Sequence, residues 1–193
     1  MWLRGIKQIF AARRERRALG KVSRYSLDEL VEDVPIRVVG RARPHGPALQ
    51  APLSQRVCVC YAIVVYDWHW DGSVRIVHTR QARAPFMLED EYARVLVDPD
   101  RAKLSAEFDY TNQLPPWQDR LSMLGVRERD WSQTDILDVD EAIIELDEQI
   151  AVIGTAMREP DTDAAPASYR DGDIPLRWRL VPTTISDDPR LCR

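Results

Sequence analysis

The chain has 193 residues, of which 45% are hydrophobic and 30% are charged. This composition is that of a folded protein rather than a disordered one, and the length suits one domain with a substantial core. Residues 1–22 contain seven Lys or Arg and one acid, whereas the remainder has 20 basic and 30 acidic residues. The acidic body lacks the basic character that binding a nucleic-acid backbone requires, so we expect no nucleic-acid partner.

Residues 2–19 predict a basic amphipathic helix that ends at Gly20. Trp2, Leu3, Ile6, Ile9 and Phe10 fall largely along one side, and the following turns carry Arg13, Arg14, Arg16 and Arg17. Such a helix binds an anionic membrane surface, or it docks on the acidic body or on a partner. We therefore divide the chain into a leader, residues 1–22, and a single domain, residues 23–193.

The first half of the domain predicts mainly strands. Ser26-Leu-Asp-Glu29 has the spacing of a capping box, which predicts a short helix from Leu27 that ends before Pro35. Val, Ile and aromatic residues then indicate an antiparallel meander, with strands at residues 35–44, 56–66, 73–80, 84–88 and 94–97.

The second half contains one helix and one ambiguous stretch. Residues 115–125 predict a helix that starts at two prolines and ends at Gly125. Residues 135–148 fit either a helix or a strand, and we favour strands at 142–146 and 149–156 because Ile150-Ala-Val-Ile-Gly154 repeats the pattern Ile36-Arg-Val-Val-Gly40. A last strand is expected around Trp178. The predicted fold class is a β-rich α+β domain: a distorted antiparallel barrel or sandwich of two similar halves, with one or two packed helices.

The hydropathy and the cysteines restrict the compartment. The longest apolar run, Val57–Tyr66, has ten residues, whereas a membrane-spanning helix needs about 20. The N-terminus lacks the pattern of a signal peptide, so we expect a cytoplasmic protein, at most peripheral to the inner face of a membrane.

Cys58, Cys60 and Cys192 predict no disulfide framework, and we expect the first two to share one face of a strand as core residues. Arg outnumbers Lys by 24 to 3, which favours a bacterial source.

Several phrases resemble the GIDE domain, a module that lies beside membrane spans in mitochondrial RING-type ubiquitin ligases and also occurs in bacterial proteins. They are Ala51-Pro-Leu-Ser, Val57-Cys-Val-Cys-Tyr, Pro85-Phe-Met-Leu and Val97-Asp-Pro99, with Glu141 and Gly154 further on. The resemblance covers about residues 22–190. A RING finger takes eight Cys or His ligands, and this chain has three of each, so we expect no RING activity from this chain alone.

No signature of phosphate, dinucleotide, zinc-hydrolase or serine-hydrolase chemistry occurs in the sequence, so we expect neither an enzyme nor a cofactor. Ser54 is expected to fix a turn, and the acidic turn Glu89–Glu91 to be solvated rather than to bind a cation. Trp68, His69 and Trp70 lie at a predicted hairpin tip, where they form a binding platform if exposed and core if buried.

The sequence therefore favours a non-catalytic interaction or sensing module that binds a protein partner. Two alternatives stay open. One is a ubiquitin-ligase component that needs a RING subunit supplied in trans. The other is a single-strand or ligand binder of the OB type, which needs basic and aromatic residues together on one face.

Overall fold

The computed structural model describes residues 18–68, 73–106, 110–112, 124–126, 136–161, 163 and 175–193. Strands dominate this part of the chain. In chain order they are β1 (Arg24–Tyr25), β2 (Pro35–Pro44), β3 (Leu49–Gln50), β4 (Val57–Trp68), β5 (Val74–Arg83), β6 (Phe86–Glu89), β7 (Arg94–Val97), β8 (Lys103–Leu104), β9 (Tyr110–Asn112), β10 (Ile136–Glu145), β11 (Gln149–Pro160) and β12 (Leu176–Ser186).

Five strands close into a barrel in the order β2, β11, β12, β7 and β6, because β6 pairs back onto β2. The β12–β7 contact is parallel and the other four are antiparallel. Fully buried apolar side chains fill the interior, among them Ile36, Phe86, Leu88, Ile150 and Leu180. The prediction of a β-rich barrel is therefore confirmed.

A second sheet has the order β3, β4, β10 and β9, with β5 paired to β4. The ambiguous stretch is a strand in this sheet, since β10 pairs with β4 along its whole length. Leu137, Val139 and Ile143 of β10 enter a core beneath the sheet. The barrel core also includes Val59, Cys60 and Ile144 from β4 and β10, so the two sheets share it.

The repeated Ile-x-Val-x-Gly pattern pairs with itself. In the antiparallel β2–β11 ladder Ile36 lies opposite Gly154, Val38 opposite Val152, and Gly40 opposite Ile150, which relates the two strands by an approximate two-fold axis. Both glycines allow a close approach of backbones. A Cβ at Gly40 would lie 2.6 Å from the Glu89 carbonyl oxygen, and one at Gly154 would lie 2.3 Å from that of Val181.

The short helix predicted from Leu27 is wrong. Ser26 Oγ donates to the Glu29 carboxylate instead of accepting from the Glu29 amide as a capping box requires, and the chain forms only a turn there. Leu27 and Leu30 are buried in the barrel core, and the Leu27 amide donates to Asp90 Oδ2 on the β6–β7 turn, 3.0 Å away. These long-range contacts replace the helical hydrogen bonds that so short a segment forms poorly.

The other predicted helices lie mostly outside the described residues. Of the leader, Ala18 and Leu19 are described as helical, and of residues 115–125, Leu124 is. No helix among the described residues has the length and apolarity needed to cross a bilayer.

Cys58 and Cys60 do not share a face as predicted. A bulge in β4 places Cys60 opposite Ile144 and Cys58 opposite Glu145, which leaves Val59 as an extra residue. Cys60 consequently packs in the barrel core, whereas Cys58 packs in the core beneath the second sheet. A bulge shifts the alternation by one residue, which a regular period of two cannot show.

Candidate functional site

A buried carboxylate holds the Ala51-Pro-Leu-Ser loop. Glu141, on β10, is 0% exposed, and its two carboxylate oxygens accept hydrogen bonds from the amides of Leu53 and Ser54, each 2.9 Å long. The loop closes on itself through the Ala51 amide, which donates to the Arg56 carbonyl. Ser54 thus fixes the turn through its amide. Its Oγ is buried without a hydrogen-bond partner, so no base in the described residues activates it as a nucleophile.

The three thiols are poor nucleophiles. Burial, together with the negative charges of Glu141 and Glu145, raises the pKa of Cys58 to about 11. Burial raises the pKa of Cys60 to about 12, although Arg83 opposes that shift. Burial also raises the pKa of Cys192 to about 11. Since the thiolate is the reactive form, these side chains are suited to packing rather than to covalent chemistry at neutral pH.

The Val97-Asp-Pro99 motif ties β7 to β12. The carboxylate of Asp98 pairs with Arg179, and its amide donates to the Leu180 carbonyl. Arg179 and Arg177 also contact Glu159 on β11, at 3.0 Å and 2.9 Å. Burial alone would raise the pKa of Glu159, but the hydrogen bonds from these two arginines lower it below its usual value. The motif therefore stabilises the barrel.

The acidic turn after β6 is occupied by donors from the protein. Asp90 accepts hydrogen bonds from the amides of Leu27, Tyr92 and Ala93, and Glu89 accepts from Arg43 and Arg94. This differs from the solvated turn that we expected. Within the described residues no group of His, Cys, Asp and Glu side chains could hold a metal ion.

One face of the second sheet lies opposite its core and has exposed apolar residues on β5. Residues 61, 63 and 65 of β4 point into the core, so the alternate residues Ala62, Val64 and Tyr66 lie on the opposite side, half-buried. The register adds Val74 and Ile76 of β5, which are 46% and 61% exposed, and Asp138 and Asp140 of β10. We call this set the outer sheet face. Burial and a hydrogen bond to Asp140 raise the pKa of Tyr66 above its usual range.

The outer sheet face adjoins the hairpin tip singled out by the sequence. Trp68 is the last residue of β4 and lies opposite Val74 of β5 and Ile136 of β10. His69 and Trp70 lie outside the described residues, as do the leader residues Trp2, Arg13, Arg14, Arg16 and Arg17. Their assignment as binding residues stays a prediction.

Sequence reasoning noted Glu141 only as part of a family pattern and missed its role. The signal was present in β10, where Leu137, Val139, Glu141 and Ile143 occupy alternate positions. A carboxylate at an alternate position that is otherwise apolar faces the core of the sheet, and a buried carboxylate requires hydrogen-bond donors.

The fold and the side chains define a β-rich module whose described residues hold carboxylates and thiols in structural roles. The chain matches the model of the GIDE family, described as E3 ubiquitin ligase, over residues 65–165. This match covers more than half of the chain, and the chain belongs to the GIDE family. No curated protein and no solved structure matches it.

Proposed function

We propose that this chain is a non-catalytic interaction or sensing module that binds a protein partner through the outer sheet face and the adjoining hairpin tip, Trp68–Trp70. The observation that carries the proposal is the exposure of Val74 and Ile76, 46% and 61%, beside the half-buried Val64 and Tyr66. Contiguous apolar surface of this kind marks interaction sites in soluble proteins.

The face has the composition of a protein interface. Its apolar centre would supply most of the binding free energy, at about 25 cal/mol for each Å² removed from water. Tyr66 combines a large apolar ring with a hydroxyl, a combination enriched at sites that dominate binding. Asp138 and Asp140 form an acidic border, which favours a partner with basic groups opposite them.

The same border argues against single-strand nucleic-acid binding. That function needs cations next to stacking aromatic rings. On the outer sheet face the aromatic residue, Tyr66, is hydrogen-bonded to a carboxylate instead. We therefore do not propose the OB-type alternative.

A second candidate function is that of a component in a RING-type ubiquitin-ligase system. The family description, E3 ubiquitin ligase, favours it. The chain has three Cys and three His, fewer than the eight ligands of a RING finger, so the RING would belong to another subunit. The two candidates differ in the identity of the partner and share the docking surface.

Replacement of Ile76 by glutamate is expected to abolish partner binding. A photoreactive amino acid placed at Thr79, an exposed residue of β5, should crosslink a defined protein in cells of the source organism, and Ile76→Glu should remove that product. A crosslinked RING subunit would support the ligase system, and any other protein the general interaction module. Leu176→Glu on the barrel is the matched control, since Leu176 is similarly exposed at 58%. If Ile76→Glu leaves crosslinking unchanged, the outer sheet face is not the docking surface.

We further propose that the leader places the module at the inner, cytoplasmic face of a membrane. Its apolar side and its arginines suit the interface of an anionic bilayer. Its described end is anchored, because Leu19 and Val22 pack on Val39, Ala151 and Ile153 outside the barrel. A leader fixed at one end to the barrel would hold the module close to the bilayer.

Flotation with anionic vesicles tests the leader. The full chain is expected to float with the vesicles and to be released at high salt, because counterions screen the arginines. A chain without residues 1–17 keeps Leu19 and Val22 and should stay at the bottom of the gradient. If neither chain floats, the leader is a docking element for protein.

A further inference from the structure

A groove of about 710 Å³ lies on the barrel, away from the outer sheet face. Its floor is the stretch of β2 at Val39 and Gly40, between the segment that pairs with β1 and the segment that pairs with β6. Tyr25 and Tyr92 also line it. Its size is that of a small-ligand site.

The acidic side chains that line the groove accept hydrogen bonds from the protein, whereas two of its arginines form no ion pair among the described residues. Glu89 and Asp90 use their oxygens on Arg43, Arg94 and three backbone amides. Glu91, on the rim, accepts a hydrogen bond from the Tyr92 hydroxyl. These acids are therefore largely engaged by donors of the protein itself.

Two arginines keep their charge available. The Arg41 guanidinium donates from Nη1 to the carbonyl oxygen of Asp147, 2.8 Å away, which is a neutral acceptor. Arg24 is exposed, and within the described part of the chain the structure gives it no ion-pair partner. Two guanidinium groups that line one groove in an acidic domain are a suitable receptor for an anion with several oxygens.

The groove also adjoins the anchored end of the leader. Val39 contributes to its floor and belongs to the apolar cluster on which Leu19 and Val22 pack. The groove and the support for Leu19 and Val22 are therefore contiguous at Val39.

We propose that this groove binds a phosphate group, with Arg24 and Arg41 as its ligands. The phosphate is either that of a free small molecule or that of a lipid headgroup, and both offer the same oxygens to the two guanidinium groups. The site is separate from the docking surface for protein, so it stands whether or not the outer sheet face binds a partner.

Calorimetric titration of the full chain with pyrophosphate tests the site. We expect saturable binding that Arg24→Gln and Arg41→Gln each weaken about tenfold, as for the loss of one charge-assisted hydrogen bond. Glu91→Gln should tighten binding, because it removes a negative charge from the rim. Arg101→Gln is the matched control: Arg101 is exposed and does not line the groove, so this variant should bind as the wild type does.

Vesicles of phosphatidylcholine with and without phosphatidic acid distinguish the two sources of phosphate. If pyrophosphate does not bind but phosphatidic acid recruits the chain, and both arginine variants reduce that recruitment about tenfold or more, the ligand is a lipid headgroup. Circular dichroism of each variant verifies folding. The proposal is overturned if the wild type binds neither probe, or if Arg101→Gln weakens binding as much as Arg24→Gln and Arg41→Gln do.

Discussion

Replacing Glu141 with alanine is expected to lower the free energy of unfolding by about 3–5 kcal/mol. The substitution leaves the amides of Leu53 and Ser54 without the acceptors that now lie 2.9 Å away. It also leaves a cavity in place of the fully buried carboxylate. It also frees the loop that those amides hold against β10. Urea denaturation followed by far-ultraviolet circular dichroism measures the loss.

Glu141→Gln separates hydrogen bonding from packing. Glutamine keeps the volume and one carbonyl acceptor but turns an NH2 group towards an amide donor, so we expect a loss of about half that of the alanine variant. Equal stability of Glu141→Ala and the wild type would show that the carboxylate does not hold the loop in solution.

Replacing Gly154 with alanine is expected to cost about 3 kcal/mol and to lower Tm by about 10 °C. The added Cβ would lie 2.3 Å from the Val181 carbonyl oxygen and 2.7 Å from the Pro182 Cα. Both are backbone atoms of β12, so relief of the clash requires the β11–β12 ladder to separate. Differential scanning calorimetry gives the change in Tm.

Thr155→Ala is the matched control for that variant. Thr155 is the next residue of β11 and is half-buried, and it already has a Cβ, so its replacement by alanine adds no atom to the ladder and we expect a change within about 1 kcal/mol. If Gly154→Ala melts with the wild type, β11 and β12 are further apart in solution than described.

The sequence predicted the strands well where periodicity and breakers agreed. Residues 35–44 and 94–97 were placed with the bounds that β2 and β7 have, and the Ile-x-Val-x-Gly repeat correctly indicated related strands. Predictions failed where long-range contacts outweigh local preference. Ser26 and Glu29 contact each other only through their side chains, without the backbone hydrogen bonds of a capping box, and burial of Leu27 and Leu30 in the barrel decides the path of the backbone.

The candidate sites were harder to predict. Ile76 and Val65 are both apolar residues of adjacent strands, yet one is 61% exposed and the other is buried, because a bulge in β5 near Val77 changes which side chains face the core. Arg24 and Arg41 line one groove because β1 pairs with β2. The local sequence around Arg24 and Arg41 does not predict that β1 pairs with β2.

The β2–β11 ladder also governs the order of events during synthesis. Its paired residues, such as Ile36 and Gly154, are more than a hundred residues apart in the chain, and β12, the next barrel strand, follows β11. On the ribosome, β2 can pair early with β6 of the β6–β7 hairpin, but the edge that pairs with β11 lacks that partner until residues more than a hundred positions further along have been made. The nascent barrel is thus a half-open sheet with an exposed edge until β11 and β12 have been made, a state that is prone to wrong strand pairing.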